Sequence, residues 1–115
     1  MRNFATIIGA VITAANNNPD GFTLDLETFK FASTGFAVAL ADTQNCFDSE
    51  GLNKVVNYCI NNNIRYIGGW YNSKNGRFYY DATVVLSDRS QAIEVGHMNR
   101  QIAIFDIDNL EEIEL

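Results

Sequence analysis

Proline occurs once in these 115 residues, histidine and tryptophan once each, and cysteine twice. A chain this poor in proline has no stiff polyproline linker, and no low-complexity tract divides it. Cys46 and Cys59 lack the CxxC spacing of a zinc or redox site, so they read as ordinary thiols of a reducing compartment, not as a disulfide framework. His97 alone cannot build a metal site, and no serine, cysteine or acid stands at a spacing that would make it a general base. Glycine-rich dinucleotide and phosphate loops, zinc-protease motifs and nucleophile elbows are missing. Enzyme chemistry is therefore the weaker class, and neither a cofactor nor a metal is expected. The apolar run FATIIGAVITAA is too short to cross a bilayer.

Basic side chains are outnumbered by acidic ones, eight to fourteen, for a net charge of −6. That mean field repels polyanions, which argues against nucleic acid or an anionic membrane as partner. The distribution is uneven. Residues 61–100 carry five basic side chains (Arg65, Lys74, Arg77, Arg89 and Arg100) against three acidic ones, whereas the rest carries three against eleven. A small anionic ligand would find one locally positive surface on an acidic protein.

With 47% hydrophobic and 19% charged residues, the chain has the composition of a folded domain. Its length suits one domain that buries about two-thirds of the unfolded surface. Phe4, Ile7, Ile8, Val11 and Ile12 recur at helical spacing, with Asn3 as cap and Asn16-Asn17-Asn18-Pro19 as stop. An amphipathic helix within 1–19 is preferred over a short signal peptide beginning at Arg2. Its apolar stripe needs a cover, from the domain core or from a second copy.

The remainder, 20–115, reads as a mixed core. GFTLDLE alternates Phe22, Leu24 and Leu26 against polar residues, which predicts a strand with one wet face, and GFAVALA predicts a more central strand. Asp42 to Phe47 reads as loop. Leu52, Val55, Val56, Cys59 and Ile60 form one helical stripe that Asn61-Asn62-Asn63 ends. Ile64 to Tyr71 and Arg77 to Leu86 form a hairpin through Asn75-Gly76, with Phe78 and Tyr80 on one face and Tyr79 and Asp81 on the other. Ser87-Asp88 caps a helix carrying Ala92, Ile93, Val95 and Gly96 inward, and the glycine predicts close packing against the sheet. Strands at 102–107 and 111–115 close the chain, the last an acidic edge. The fold class is α+β: a single domain of small antiparallel β-sheet with about three helices.

GGWYNSKNGRFYYD at 68–81 and DRSQAIEVGHMNRQIAIFDIDNLEEIEL at 88–115 carry a resemblance that extends over 20–115 and omits the first helix. They resemble a set of small proteins encoded by phages and prophages, and within it the Thoeris anti-defence sponge family. The resemblance implies an α+β protomer in a dimer or higher homo-oligomer, in the cytoplasm of an infected bacterial host. It also implies a nucleotide-derived immune signal, a cyclic ADP-ribose isomer or a cyclic oligonucleotide, that is sequestered without catalysis. This chain departs from the pattern at Glu114, where some relatives end in a basic residue, so no ligand contact is assigned there.

Such a signal needs an aromatic face for its base, cations for its phosphates and amides for its ribose hydroxyls. Trp70, Phe78 and Tyr80 supply rings, Arg77, Arg89 and Arg100 supply cations, and Asn99 and Gln101 supply amides. Taken singly, aromatics on antiparallel strands are usually packing residues and surface arginines usually solvated. The site is expected where the 77–81 strand meets the end of the 88–100 helix, completed by a neighbouring subunit. The competing reading is an acidic protein–protein inhibitor of a host defence nuclease, a nucleic-acid mimic or an anti-CRISPR type of protein. A third is an accessory phage protein without a ligand.

Overall fold

The computed structural model describes residues 3–115; Arg2, on which the signal-peptide alternative turned, lies outside the described residues. Among the described residues three α-helices and seven strands form one α+β domain. The helices are α1 (Phe4–Asn17), α2 (Asp48–Asn62) and α3 (Arg89–Met98). The strands are β1 (Gly21–Asp25), β2 (Phe36–Ala39), β3 (Cys46–Phe47), β4 (Tyr66–Asn72), β5 (Arg77–Leu86), β6 (Ala103–Asp106) and β7 (Glu111–Glu114). All pair antiparallel in the order β1-β4-β5-β2-β6-β7, with the two-residue β3 beside β5.

Local chemistry explains where the elements start and stop. The Asn3 side chain accepts from the Thr6 amide at 3.0 Å, and Asp88 does the same for Gln91 at 3.0 Å, so each satisfies a helix donor that would otherwise lack a partner. Asn63 ends α2 at φ 54°, a left-handed conformation asparagine tolerates. Gly76 closes the β4–β5 hairpin at φ 70°.

β5 is the spine. Residues Arg77 to Thr83 pair with β4, from Asn72↔Arg77 to Tyr66↔Thr83, while the other edge holds β3 and then β2. Residues 42–47, read from sequence as loop, contain the end of a 3₁₀ turn (Ala41–Thr43) and β3. Two residues are too few to show an alternating pattern, and the pairing of β3 with Tyr79 and Tyr80 is set by chain distant in sequence.

All three helices cover the face made by Phe78, Tyr80, Ala82, Val84 and Leu86 of β5. α1 and α2 bury Ile7, Val11, Ala14, Leu52, Val55, Val56 and Cys59 against Leu24, Ile67, Tyr80 and Ala82. α3 packs Ala92 with Val38 and Ile104, flanked by Val84 and Leu86. A buried aliphatic side chain contributes about 1.5–3 kcal/mol in such a core. Gly96 lies where a Cβ would stand 2.6 Å from Leu115 Cδ1 and 2.9 Å from Ile104 Cγ2, the close approach its place in a helix predicted. The first helix buries Ile7, Val11 and Ala14, whereas Phe4 and Ile12 of the predicted stripe stay 38% and 45% exposed. Neighbouring elements cover one side of that stripe, and the Ile8–Ile12 flank borders an open groove. Among the described residues no helix is long and apolar enough to cross a membrane.

Candidate functional site

Strand alternation turns Arg77, Tyr79, Asp81, Thr83 and Val85 of β5 away from the helices, onto the opposite sheet face. Register sets what stands beside them. One row across the sheet reads Gly21, Trp70, Tyr79, Phe47. Trp70 stacks on Tyr79 with ring centroids 4.8 Å apart at 17°, and Phe47 meets Tyr79 edge-on at 5.4 Å. The Arg77 guanidinium lies 4.4 Å over the Phe47 ring and donates to Asp48 Oδ2 at 3.0 Å. Asn75 Nδ2 donates to the Tyr79 hydroxyl oxygen at 2.8 Å, holding the ring from the hairpin turn. Trp70 is 45% exposed, so a rigid, backed indole faces solvent.

The next row reads Thr23, Gly68, Asp81. A Cβ on Gly68 would stand 2.7 Å from Asp81 Oδ1 and 2.8 Å from Thr83 Oγ1, so both side chains lean into the space this glycine leaves open. The Thr83 hydroxyl donates to Asp81 Oδ1. Burial pushes the Asp81 carboxyl up to about 6, and the Thr83 hydrogen bond opposes that rise. Among the described residues no lysine or arginine pairs with Asp81. Asp25, at the edge of the same face, is the contrast. Arg65 donates to it at 2.8 and 3.1 Å and holds its carboxyl below the usual carboxylate range.

The eight residues selected from sequence fall in four places. Trp70 and Arg77 share the open face. Phe78 and Tyr80 lie on the helix side, in the floor of the groove between α1, the start of α2 and β5, with Ile8, Ile12 and Leu52. That groove has a cavity volume of about 390 Å³ and a rim of Asp48, Ser49 and Asn53. Arg89 opens α3, and Asn99, Arg100 and Gln101 follow its far end. Ten helical residues separate Arg89 from the second group by about 15 Å. β5 puts Arg77 and Leu86 about 30 Å apart. The three arginines therefore do not converge within one protomer.

Asn99 has structural duties. Its Oδ1 accepts from the Ala41 amide at 3.0 Å and its Nδ2 donates to the Val95 carbonyl at 3.0 Å, tying the end of α3 to the segment after β2. Arg100 takes the left-handed position beyond the helix at φ 55°. Gln101 Nε2 donates to the Asn99 carbonyl at 3.2 Å.

Phe47, Asp81 and Thr83 join the open face although they were absent from the selected set. Alternation had already assigned Tyr79 and Asp81 to the side away from Phe78, but the pairings Trp70↔Tyr79 and Gly68↔Asp81 depend on the register of the hairpin. Among the described residues no three His, Cys, Asp or Glu side chains group as a metal site. No protein-family signature, curated protein or solved structure matches the chain.

Proposed function

We propose that the protein is a phage anti-defence binding protein that sequesters a nucleotide-derived signal without transforming it, and that the ligand sits on the open sheet face. The observation that supports this most is the Trp70–Tyr79 stack, an exposed indole held parallel to a second ring at 4.8 Å beside Arg77. Base–aromatic stacking is worth about 1–3 kcal/mol and needs only a π face. Arg77, over Phe47 at one end of the row, and Lys74, in the hairpin turn, lie in the stretch of the chain with a basic excess.

Titration calorimetry with cyclic ADP-ribose isomers and cyclic dinucleotides tests the reading, followed by heat denaturation to recover the ligand intact. Trp70→Ala and Arg77→Ala are each expected to weaken binding about tenfold or more while the fold is retained. Lys54→Ala, on an exposed helix face beside Glu50, should bind like the parent. A parent that binds none of these ligands would sink the proposal.

The proposal includes a homo-oligomer, because the exposed Phe4 and Ile12 beside the groove leave an apolar flank of α1 uncovered in one protomer. Light scattering at micromolar concentration should give at least twice the 12.9 kDa of one chain. A monomer mass would remove this part of the reading. The acidic-inhibitor alternative draws on Glu111, Glu112 and Glu114, all exposed on the edge strand β7. It takes precedence if no nucleotide binds.

A further inference from the structure

Tyr80 is the residue of the helix side whose polar end the packing does not use. It is 9% exposed and packs on Phe78 with ring centroids 5.2 Å apart, yet among the described residues its hydroxyl makes no hydrogen bond. No fully buried side-chain polar atom lacks a partner among those residues, so the Tyr80 hydroxyl is the part left open to the groove. We propose that the groove between α1, α2 and β5 is a second binding site, for a small, neutral phenol or other aromatic alcohol. It lies across the sheet from Trp70 and does not depend on the nucleotide reading.

Size and walls set the body of the ligand. The cavity volume of about 390 Å³ falls within the range of small-molecule clefts, about 300–1,000 Å³. Ile8, Ile12, Leu52 and Phe78 make its sides apolar. The rings of Phe78 and Tyr80 are tilted 51° to one another and offer both a face and an edge, which favours an aromatic guest. Leu52 and Tyr80 belong to the larger buried cluster, so the floor is fixed. Ile12 stands exposed at the mouth and loses water when the groove fills.

Charge sets the head. Asp48 is the one charged side chain lining the groove among the described residues, and Arg77 donates to its Oδ2 at 3.0 Å. An anionic ligand would meet the remaining carboxylate oxygen. A cationic one gains little, because Arg77 already balances that charge. A hydroxyl suits both protein groups, since it can accept from the Tyr80 O–H and donate to the Asp48 carboxylate. Burial pushes the Tyr80 hydroxyl above its usual range, and the Asp48 carboxylate adds to the rise, so Tyr80 keeps its proton to donate.

The test titrates the full chain with naphthol, naphthalene and naphthoate, followed by nuclear magnetic resonance. Naphthol should bind about tenfold tighter than naphthalene and shift the amides of Ile12, Leu52 and Tyr80, while naphthoate should bind no better than naphthalene. Tyr80→Phe should remove the advantage of naphthol and leave naphthalene binding unchanged; its melting curve confirms the fold. Ile12→Ala, at the exposed mouth, should weaken both neutral probes severalfold. Trp70→Ala, on the opposite face, should bind all three like the parent. The proposal is overturned if naphthol binds no better than naphthalene or naphthoate, or if Tyr80→Phe keeps the parent's order. It is equally overturned if Ile12→Ala changes nothing, or if Trp70→Ala abolishes the binding, which would place the probe on the open face. Binding that fades as protein concentration rises would give the groove to a second copy and overturn it too.

Discussion

Replacing Asp81 by asparagine should stabilise the protein at about pH 7.5 by about 1–3 kcal/mol, an unusual outcome for a change inside a sheet. The native carboxyl holds its proton up to about 6, whereas an unperturbed aspartate releases it near 3.8. Between those values the folded state binds the extra proton, so the contribution of Asp81 is most favourable below 3.8 and is lost as pH rises through 6. The asparagine side chain can still accept from Thr83 but carries no charge to desolvate. Urea unfolding of parent and variant at two pH values checks this: a gain near pH 7.5 that shrinks towards zero near pH 4 is expected. A gain of equal size at both values, or a loss, would contradict it. Asp25 works in the opposite sense. Arg65 holds its carboxyl low, so its stabilisation is present above 3.8 and is lost as pH falls through the lowered native value. Acid unfolding of the parent should therefore begin in that lower range, and the Asp25→Asn variant should lose most of its stability deficit there.

Gly51→Ala should destabilise the protein by about 2 kcal/mol, although alanine is the better helix former by about 1 kcal/mol. Gly51 is buried where the first turn and a half of α2 crosses β3, and a Cβ there would stand 2.5 Å from the Cys46 carbonyl carbon and 3.0 Å from its Cα. The obstacle is backbone, so the helix must lift away from the sheet. Gly9 supplies the control. It lies in α1 with no atom within 4 Å of a Cβ, so Gly9→Ala should stabilise by about 1 kcal/mol through helix propensity alone. Thermal melts of the two variants should move in opposite directions. A Gly51→Ala protein that melts with or above the parent would show that α2 can shift without cost.

Much of this fold was legible because its signals are local. The caps Asn3 and Asp88, the asparagine that ends α2 and the hairpin around Gly76 act within a few residues of their own position. The alternation of β5 also separated Phe78 and Tyr80 from Tyr79 and Asp81 correctly. What could not be read was which of those faces the helices would cover, and which strand would lie beside which. For that reason Phe78 and Tyr80 were grouped with Trp70 and Arg77, although the sheet itself divides the two pairs. Proximity in sequence groups the arginines, whereas the ten-residue β5 sets Arg77 apart from Arg89 and the ten-residue α3 sets Arg89 apart from Arg100. The Gly68 notch was hidden for the same reason. Two adjacent glycines in a strand announce close approaches, but only the register tells that one side receives Asp81 and Thr83 and the other the rings of Phe22 and Phe78.

The division of the covered face into two unequal clusters bears on which parts of the molecule open first. Twelve buried residues unite α1, α2 and the β1–β4–β5 half, whereas three unite α3 with β2 and β6. Sub-global opening is expected to follow the smaller cluster, so in native-state hydrogen exchange the amides of α3, β6 and β7 should exchange faster than those of the larger half. Trp70, Tyr79 and Asp81 all ride on the half that stays closed. Under the proposed function this half would present its rings already ordered, which spares binding the conformational entropy of ordering them.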